Sequence, residues 1–173
     1  MQLQALTQDY FALFGLPLDF AVDMPVLAQR FRELQAQYHP DRFASGSDQE
    51  KRLAMQITSH INTAYTSLKQ PRLRARYLLE LAGVAINDER DTASDPAFLM
   101  QQMEWREALE DGRSAGNEAA LLKLDKEIAA EQQNLFADLG RAFASQQAEE
   151  AGQLVRQGRF LNKLRQEIKA ALP

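Results

Sequence analysis

Apolar residues recur along this chain at helical spacing almost from end to end, and no stretch shows the strict alternation of a half-buried strand. Leu27, Phe31, Leu34 and Tyr38 are separated by four, three and four positions; Leu53, Ile57, Ile61, Ala64 and Leu68 are separated by four, four, three and four. Each set makes one stripe along a helix, and two such helices bury their stripes by packing antiparallel. The stop and start signals agree. Asp23 can cap the first helix with Pro25 in its opening turn, and Ser47-Asp48-Gln49-Glu50 has the S-x-x-E pattern of a capping box at the start of the second. Ahead of both, Asp9 to Phe14 reads as a short apolar helix stopped by Gly15 and Pro17, laid across the longer pair. Behind them, Pro71 opens a further segment to Leu81, ended by Gly83.

From Gly83 to Pro96 the apolar rhythm stops, and turn formers (Asn87, Asp88, Asp91, Thr92, Ser94, Asp95) take over. This predicts a linker over 83–95, separating residues 1–82 from 96–173. Asp95-Pro96 should cap a helix to about Asp111, a turn is predicted over Gly112 to Gly116, and a long helix then carries Leu121, Leu124, Ile128, Leu135, Leu139 and Phe143. A last helix starting near Gln146 carries Leu154, Leu161, Leu164 and Ile168. Short connections make these three an antiparallel bundle, so the whole chain is predicted to be all-α.

The first bundle helix has apolar residues to spare. With Trp105 as zero, Phe98 falls at about 20° and Leu109 at about 40°, a core-facing stripe. Leu99 falls at about 120°, Met103 at about 160°, Glu107 at about 200° and Met100 at about 220°, on or near the opposite face. Phe160 is similarly about 85° from the centre of its own helix's stripe. Single exposed apolar side chains are ordinary; several gathered around an acidic residue, two of them methionines, fit an adaptable binding surface.

Between the two striped helices of the first half stands Tyr38-His39-Pro40-Asp41-Arg42. Proline pushes the residue before it out of the α region, so His39 should leave the helix and Asp41 should sit in a surface loop beside it. A catalytic dyad is a poor reading, because Pro40 separates the two side chains and no serine or cysteine nucleophile accompanies them. His60, one residue before Ile61 of the core stripe, reads as a helix-surface side chain.

Composition narrows the chemistry. With 173 residues, 45% hydrophobic and 25% charged, the chain is globular. It has no cysteine and two histidines, which leaves no thiolate chemistry and little with which to hold zinc or an iron-sulfur cluster. No metal and no cofactor are expected. There is no G-x-x-x-x-G-K-S/T loop for ATP, no run long enough to span a membrane and no basic or arginine-rich leader; a cytoplasmic protein is expected. The net charge of −4 is uneven: residues 1–76 hold 9 basic and 7 acidic side chains, and residues 77–173 hold 11 and 17. The acidic second half speaks against nucleic acid. Arg30, Arg32 and Arg42 could form a positive surface near the loop, and Arg72, Arg74 and Arg76 a basic cluster that packs against the acidic half.

Two striped helices joined by His39-Pro40-Asp41 resemble the J-domain of DnaJ-type co-chaperones. The resemblance sharpens over nearly the whole chain: Asp9-Tyr10-Phe11-Ala12-Leu13-Phe14-Gly15-Leu16-Pro17, then Gln37 to Gly46, then Ala97-Phe98-Leu99-Met100, then Arg159-Phe160-Leu161-Asn162-Lys163-Leu164 are similar to the HscB family, the J-type co-chaperones of iron-sulfur cluster assembly. The resemblance implies an L-shaped protein with an N-terminal J-domain and a C-terminal three-helix bundle. It implies that Tyr38, His39, Pro40, Asp41, Arg42, Arg30 and Arg32 face a DnaK-type ATPase, HscA, and stimulate ATP hydrolysis there. It implies further that Leu99, Met100, Met103, Glu104, Glu107 and Phe160 bind the scaffold protein IscU. Met103 stands where the family is expected to have leucine, an exchange that a packing role tolerates. The cysteine pair of eukaryotic members is absent, which points to the bacterial type. Two other readings remain: a general J-protein that presents unfolded polypeptides, and a helical interaction module with no chaperone role.

Overall fold

The computed structural model describes residues 3–86 and 95–173. Of the predicted linker, residues 87–94 therefore lie outside the described residues. Eight α-helices and one 3-10 turn account for most of the rest, and no strand occurs among the described residues. By packing, the chain divides into two units, Met1–Leu78 and Leu79–Pro173.

In the first unit, α1 (Gln4–Thr7) is a single turn that the apolar pattern did not reveal, and α2 (Tyr10–Leu13) is capped by Asp9, whose carboxylate accepts from the Ala12 amide. The central pair is α3 (Met24–Tyr38) and α4 (Asp48–Lys69). Asp23 caps α3 through the Val26 amide, and Ser47 and Glu50 close a reciprocal capping box on α4. The pair runs antiparallel, since cross-links step down one helix as they step up the other. Tyr38 carbonyl takes the Thr58 hydroxyl, Gln35 meets Asn62, and Phe31 stacks on Tyr65 with ring centroids 3.9 Å apart. The core beneath is Phe11, Leu27, Ile57, Ile61 and Leu68, all fully buried; Phe31, Leu34 and Leu53 are half-buried at its margin.

α5 (Pro71–Leu81) follows, and its arginines depart from expectation. Residues 72, 74 and 76 are two apart, so successive ones point about 200° away from each other and cannot share one basic face. Arg74 is buried inside the first unit: it donates to the Leu68 carbonyl at 2.7 Å, its guanidinium lies 4.8 Å from the Phe20 ring centroid, and burial pulls its pKa down. That guanidinium ties the end of α4 to the segment ahead of α3. His60 also departs. It is half-buried, with its ring edge-on to Tyr10 at 5.6 Å, so it joins α2 to α4 instead of facing solvent.

The second unit holds α6 (Pro96–Ser114), α7 (Glu118–Ala144) and α8 (Ala148–Ala171). Contacts between α6 and α7 pair Trp105 with Glu127 and Gly112 with Leu121; those between α7 and α8 pair Asp125 with Arg165 and Leu135 with Gly158. Both pairs are antiparallel, which makes α6 and α8 parallel neighbours. α6 runs three residues past the predicted stop at Asp111. Gly112 lies inside the helix, buried, where a Cβ would come within 2.9 Å of Leu121 Cδ2; it is there for close packing, and the reversal falls to Gly116 at φ +58°. The buried stripe of α8 is Ala151, Val155, Leu161, Leu164 and Ile168, so Leu154 gives way to Val155 and is itself half-buried.

A polar cluster bridges α7 and α8 inside the bundle. Arg165 forks onto both oxygens of Asp125, at 2.8 and 3.0 Å, and gives a third bond to the side-chain oxygen of the buried Gln132 at 3.0 Å. Hydrogen bonding from Arg165 holds the Asp125 carboxyl below the usual carboxylate range, and the same bond raises the Arg165 pKa. Three oriented bonds at one level fix the register of α8 against α7.

Candidate functional site

Two surfaces gather the residues singled out from the sequence, one in each unit. In the first, Tyr38 ends α3 and His39 turns out of it at φ −57°, ψ 132°, as the following proline requires. Pro40–Phe43 then form the 3-10 turn. The turn is tied down on both sides: Thr58 of α4 donates to the Tyr38 carbonyl at 3.1 Å, and Arg42 donates from Nη1 to the Ala36 carbonyl at 3.2 Å. These are carbonyls that the end of a helix leaves open. Tyr38 itself is 7% exposed, so its ring is the floor of the turn and is not presented to a partner.

Above that floor, His39 and Asp41 are presented side by side, with side chains 57% and 92% exposed. The Asp41 amide donates to His39 Nδ1 at 3.2 Å, so Nδ1 is the acceptor and Nε2 is left to donate. Nδ1 and Asp41 Oδ2 are 3.6 Å apart, too far for a hydrogen bond. The turn therefore offers a partner one donor and one carboxylate, both already oriented, with no nucleophile between them. Along α3, Arg32 is exposed, Arg30 pairs loosely with Glu33 at 3.6 Å, and Arg42 is engaged at the helix end.

On the second unit, Leu99, Met100 and Met103 are the exposed large apolar side chains of α6. Leu99, Met103 and Glu107 follow one another at every fourth residue, and Met100 and Glu104 make the adjoining row. Glu104 accepts from Gln101 at 3.1 Å, and Glu107 is exposed. Phe160 comes from α8. It is half-buried, with its ring edge-on to Phe98 of α6 at 5.9 Å, and Phe98 in turn is edge-on to the buried Trp105 at 6.3 Å. A residue passed over in the sequence completes this corner. Arg106 holds its guanidinium 5.4 Å from the Phe160 ring centroid and pairs with Glu167. The helical wheel would have found it, since Arg106 falls at about 100°, beside Leu99.

Among the described residues no helix is long and apolar enough to cross a membrane, and no three His, Asp or Glu side chains are placed to hold a metal ion.

A helical hairpin ending in an exposed His-Pro-Asp turn, followed by a helical bundle, defines a J-type co-chaperone. Comparison with known proteins narrows the class. A family model described as the HSCB C-terminal oligomerisation domain matches residues 94–169. A co-chaperone protein HscB homolog of Neisseria gonorrhoeae is 48% identical over 163 residues, which span 94% of this chain and 98% of that one. The structure of chaperone HscB from Vibrio cholerae superposes with a TM-score of 0.83 at 40% identity, covering 94% of this chain and 96% of that one. Human co-chaperone HscB superposes with a TM-score of 0.89 at 32% identity, over 95% and 82%. The chain belongs to the HscB co-chaperone family.

Proposed function

We propose that this protein binds the scaffold protein IscU on its C-terminal bundle, delivers it to the DnaK-type chaperone HscA and stimulates that partner's ATPase, so assisting iron-sulfur cluster assembly in the cytoplasm. Residues 1–82 act as the J-domain, 83–95 as the hinge and 96–173 as the client-binding domain. The observation that carries this reading is the pairing of two accessible surfaces of different chemistry in separate units: an oriented His39/Asp41 turn, and an apolar patch of Leu99, Met100 and Met103 flanked by Glu104 and Glu107.

On this reading His39, Pro40, Asp41 and Arg42 engage the ATPase, with Tyr38 and Arg42 also holding the turn in shape. Arg30 and Arg32 supply positive charge that raises the encounter rate with an acidic partner. Leu99, Met100, Met103 and Phe160 supply the apolar contact with the scaffold, and Glu104 and Glu107 its orientation. The chain is no enzyme: ATP hydrolysis belongs to HscA and the cluster to IscU.

The test is a steady-state ATPase assay with purified HscA, run with this protein alone, with IscU alone and with both. Stimulation by this protein, and greater stimulation by the two together, is the expected result. Stimulation of HscA that IscU does not increase, with IscU failing to bind the bundle, would leave a J-protein for other clients; no stimulation at all removes the J-domain assignment.

A further inference from the structure

Phe160 lies about 115° off the buried stripe of α8, so packing within its own helix does not hold its ring. Three side chains from outside that stripe do. Phe98 meets the ring edge-on from α6 at 5.9 Å, the Arg106 guanidinium lies against it with 5.4 Å to the centroid, and Glu167, two turns further along α8, binds the same guanidinium. A guanidinium is flat and carries its donors in one plane, so it can stack on a ring while its edge forks onto a carboxylate; a lysine ammonium cannot do both. Its tether matters, because an arginine left to itself has four flexible torsions and would cover the ring only part of the time.

We propose that Arg106, anchored by Glu167, is a positioning residue of the client site: it holds the half-exposed Phe160 ring in one rotamer against Phe98, so that the apolar patch is already shaped before the partner arrives. This rests on the client-binding reading above. The chemistry of the partner follows from it, since a ring preset between Phe98 and Arg106 suits a folded surface with its own fixed apolar knob better than a flexible unfolded segment. Ordering a side chain at an interface costs about two- to tenfold in affinity, and a ring ordered beforehand does not incur that loss on binding.

The experiment is a double-mutant cycle by calorimetry with purified IscU, using R106A, F160A and the double variant, with melting temperatures recorded for each. R106A is expected to weaken binding about three- to tenfold, and to have no further effect once Phe160 is alanine, because it acts through that ring. R106K should recover only part of the loss. A second readout needs no partner: in the free protein, the aromatic carbon-proton resonances of Phe160 should shift and broaden in R106A. Where R106A lowers the melting temperature, E167Q takes its place, keeping the guanidinium while weakening its anchor. Equal losses from R106A with and without Phe160, or an undisturbed Phe160 spectrum, overturn the clamp while leaving the client site standing. If F160A binds as wild type does, Phe160 is no part of the client contact, and the clamp falls while the α6 face stands or falls by its own variant.

Discussion

The sharpest consequence of the patch geometry concerns L99A/M100A/M103A, a triple variant that leaves Phe160 and its partners intact. Leu99, Met100 and Met103 are 42%, 66% and 72% exposed in the free protein, together just under two fully exposed large side chains. Complete burial of one such side chain is worth about 1.5–3 kcal/mol, so covering this exposed area is worth about 3–5 kcal/mol. Alanine keeps roughly a third of the apolar area, which leaves about 2–3.5 kcal/mol to be lost, or about thirty- to three-hundredfold in affinity. Because Met100 and Met103 mostly face water, each of those two substitutions should change folding stability by no more than about 0.5 kcal/mol, and that of Leu99, more than half covered, by about 1 kcal/mol. Phe160 is left out deliberately: it is half-buried against Phe98, and truncating it would mix a folding cost with a binding one. The assay is calorimetric titration of IscU into wild type and variant, with thermal melts alongside. A dissociation constant within threefold of wild type would refute the assignment of this face to the client, and a collapsed melting transition would show that the three side chains belong to the core.

Three further outcomes follow from particular contacts. H39Q removes an exposed imidazole and no core volume, so its stability should stay within about 1 kcal/mol of wild type while stimulation of HscA is lost; normal stimulation by a folded variant contradicts the proposed role of the turn. G112A sets two effects against each other, a gain of about 0.5–1 kcal/mol from helix propensity and an overpacking cost of about 1–3 kcal/mol where the new Cβ meets the buried Leu121, so a net loss is expected in urea unfolding, and a stabilised variant means that α6 and α7 are further apart there. D125N should cost about 1–3 kcal/mol at pH 7, because it weakens the bidentate bond to Arg165. The Asp125 pKa is lower folded than unfolded, so its contribution is complete above the ordinary carboxylate value of about 3.9 and fades as pH falls towards the folded value; Arg165 stays protonated throughout. Denaturant melts should therefore show the gap between wild type and D125N narrowing below about pH 4, and a gap that is constant with pH contradicts the linkage.

Local signals were enough for the helices that carry them. The caps at Asp23 and Ser47, the proline-enforced exit at His39 and the two stripes of the hairpin are written in residues within a few positions of each other, and the structure has α3, the turn and α4 where those residues put them. The outward placing of Leu99, Met100 and Met103 was equally legible, because 100° per residue leaves them no access to a stripe centred on Phe98 and Trp105. A four-residue turn such as α1 has no period to read, and it escaped notice.

What the sequence did not reveal depends on a second element. Gly112 reads locally as a helix breaker but lies inside α6, where Leu121 of α7 occupies the space a Cβ would need. Arg74 reads as part of a basic cluster facing the acidic half and His60 as a surface group, yet one lies buried against Phe20 and the other against Tyr10. Whether Leu154 or Val155 faces the core of α8 turns on a few tens of degrees of helix rotation, which the bonds from Arg165 to Asp125 and Gln132 decide. Arg106 takes its place over Phe160 only through Glu167, 61 residues away in the chain. Periodicity and capping act over one or two turns of backbone and can be read in order; the environment of a side chain is the sum of everything folded against it, and that exists only once the helices have met.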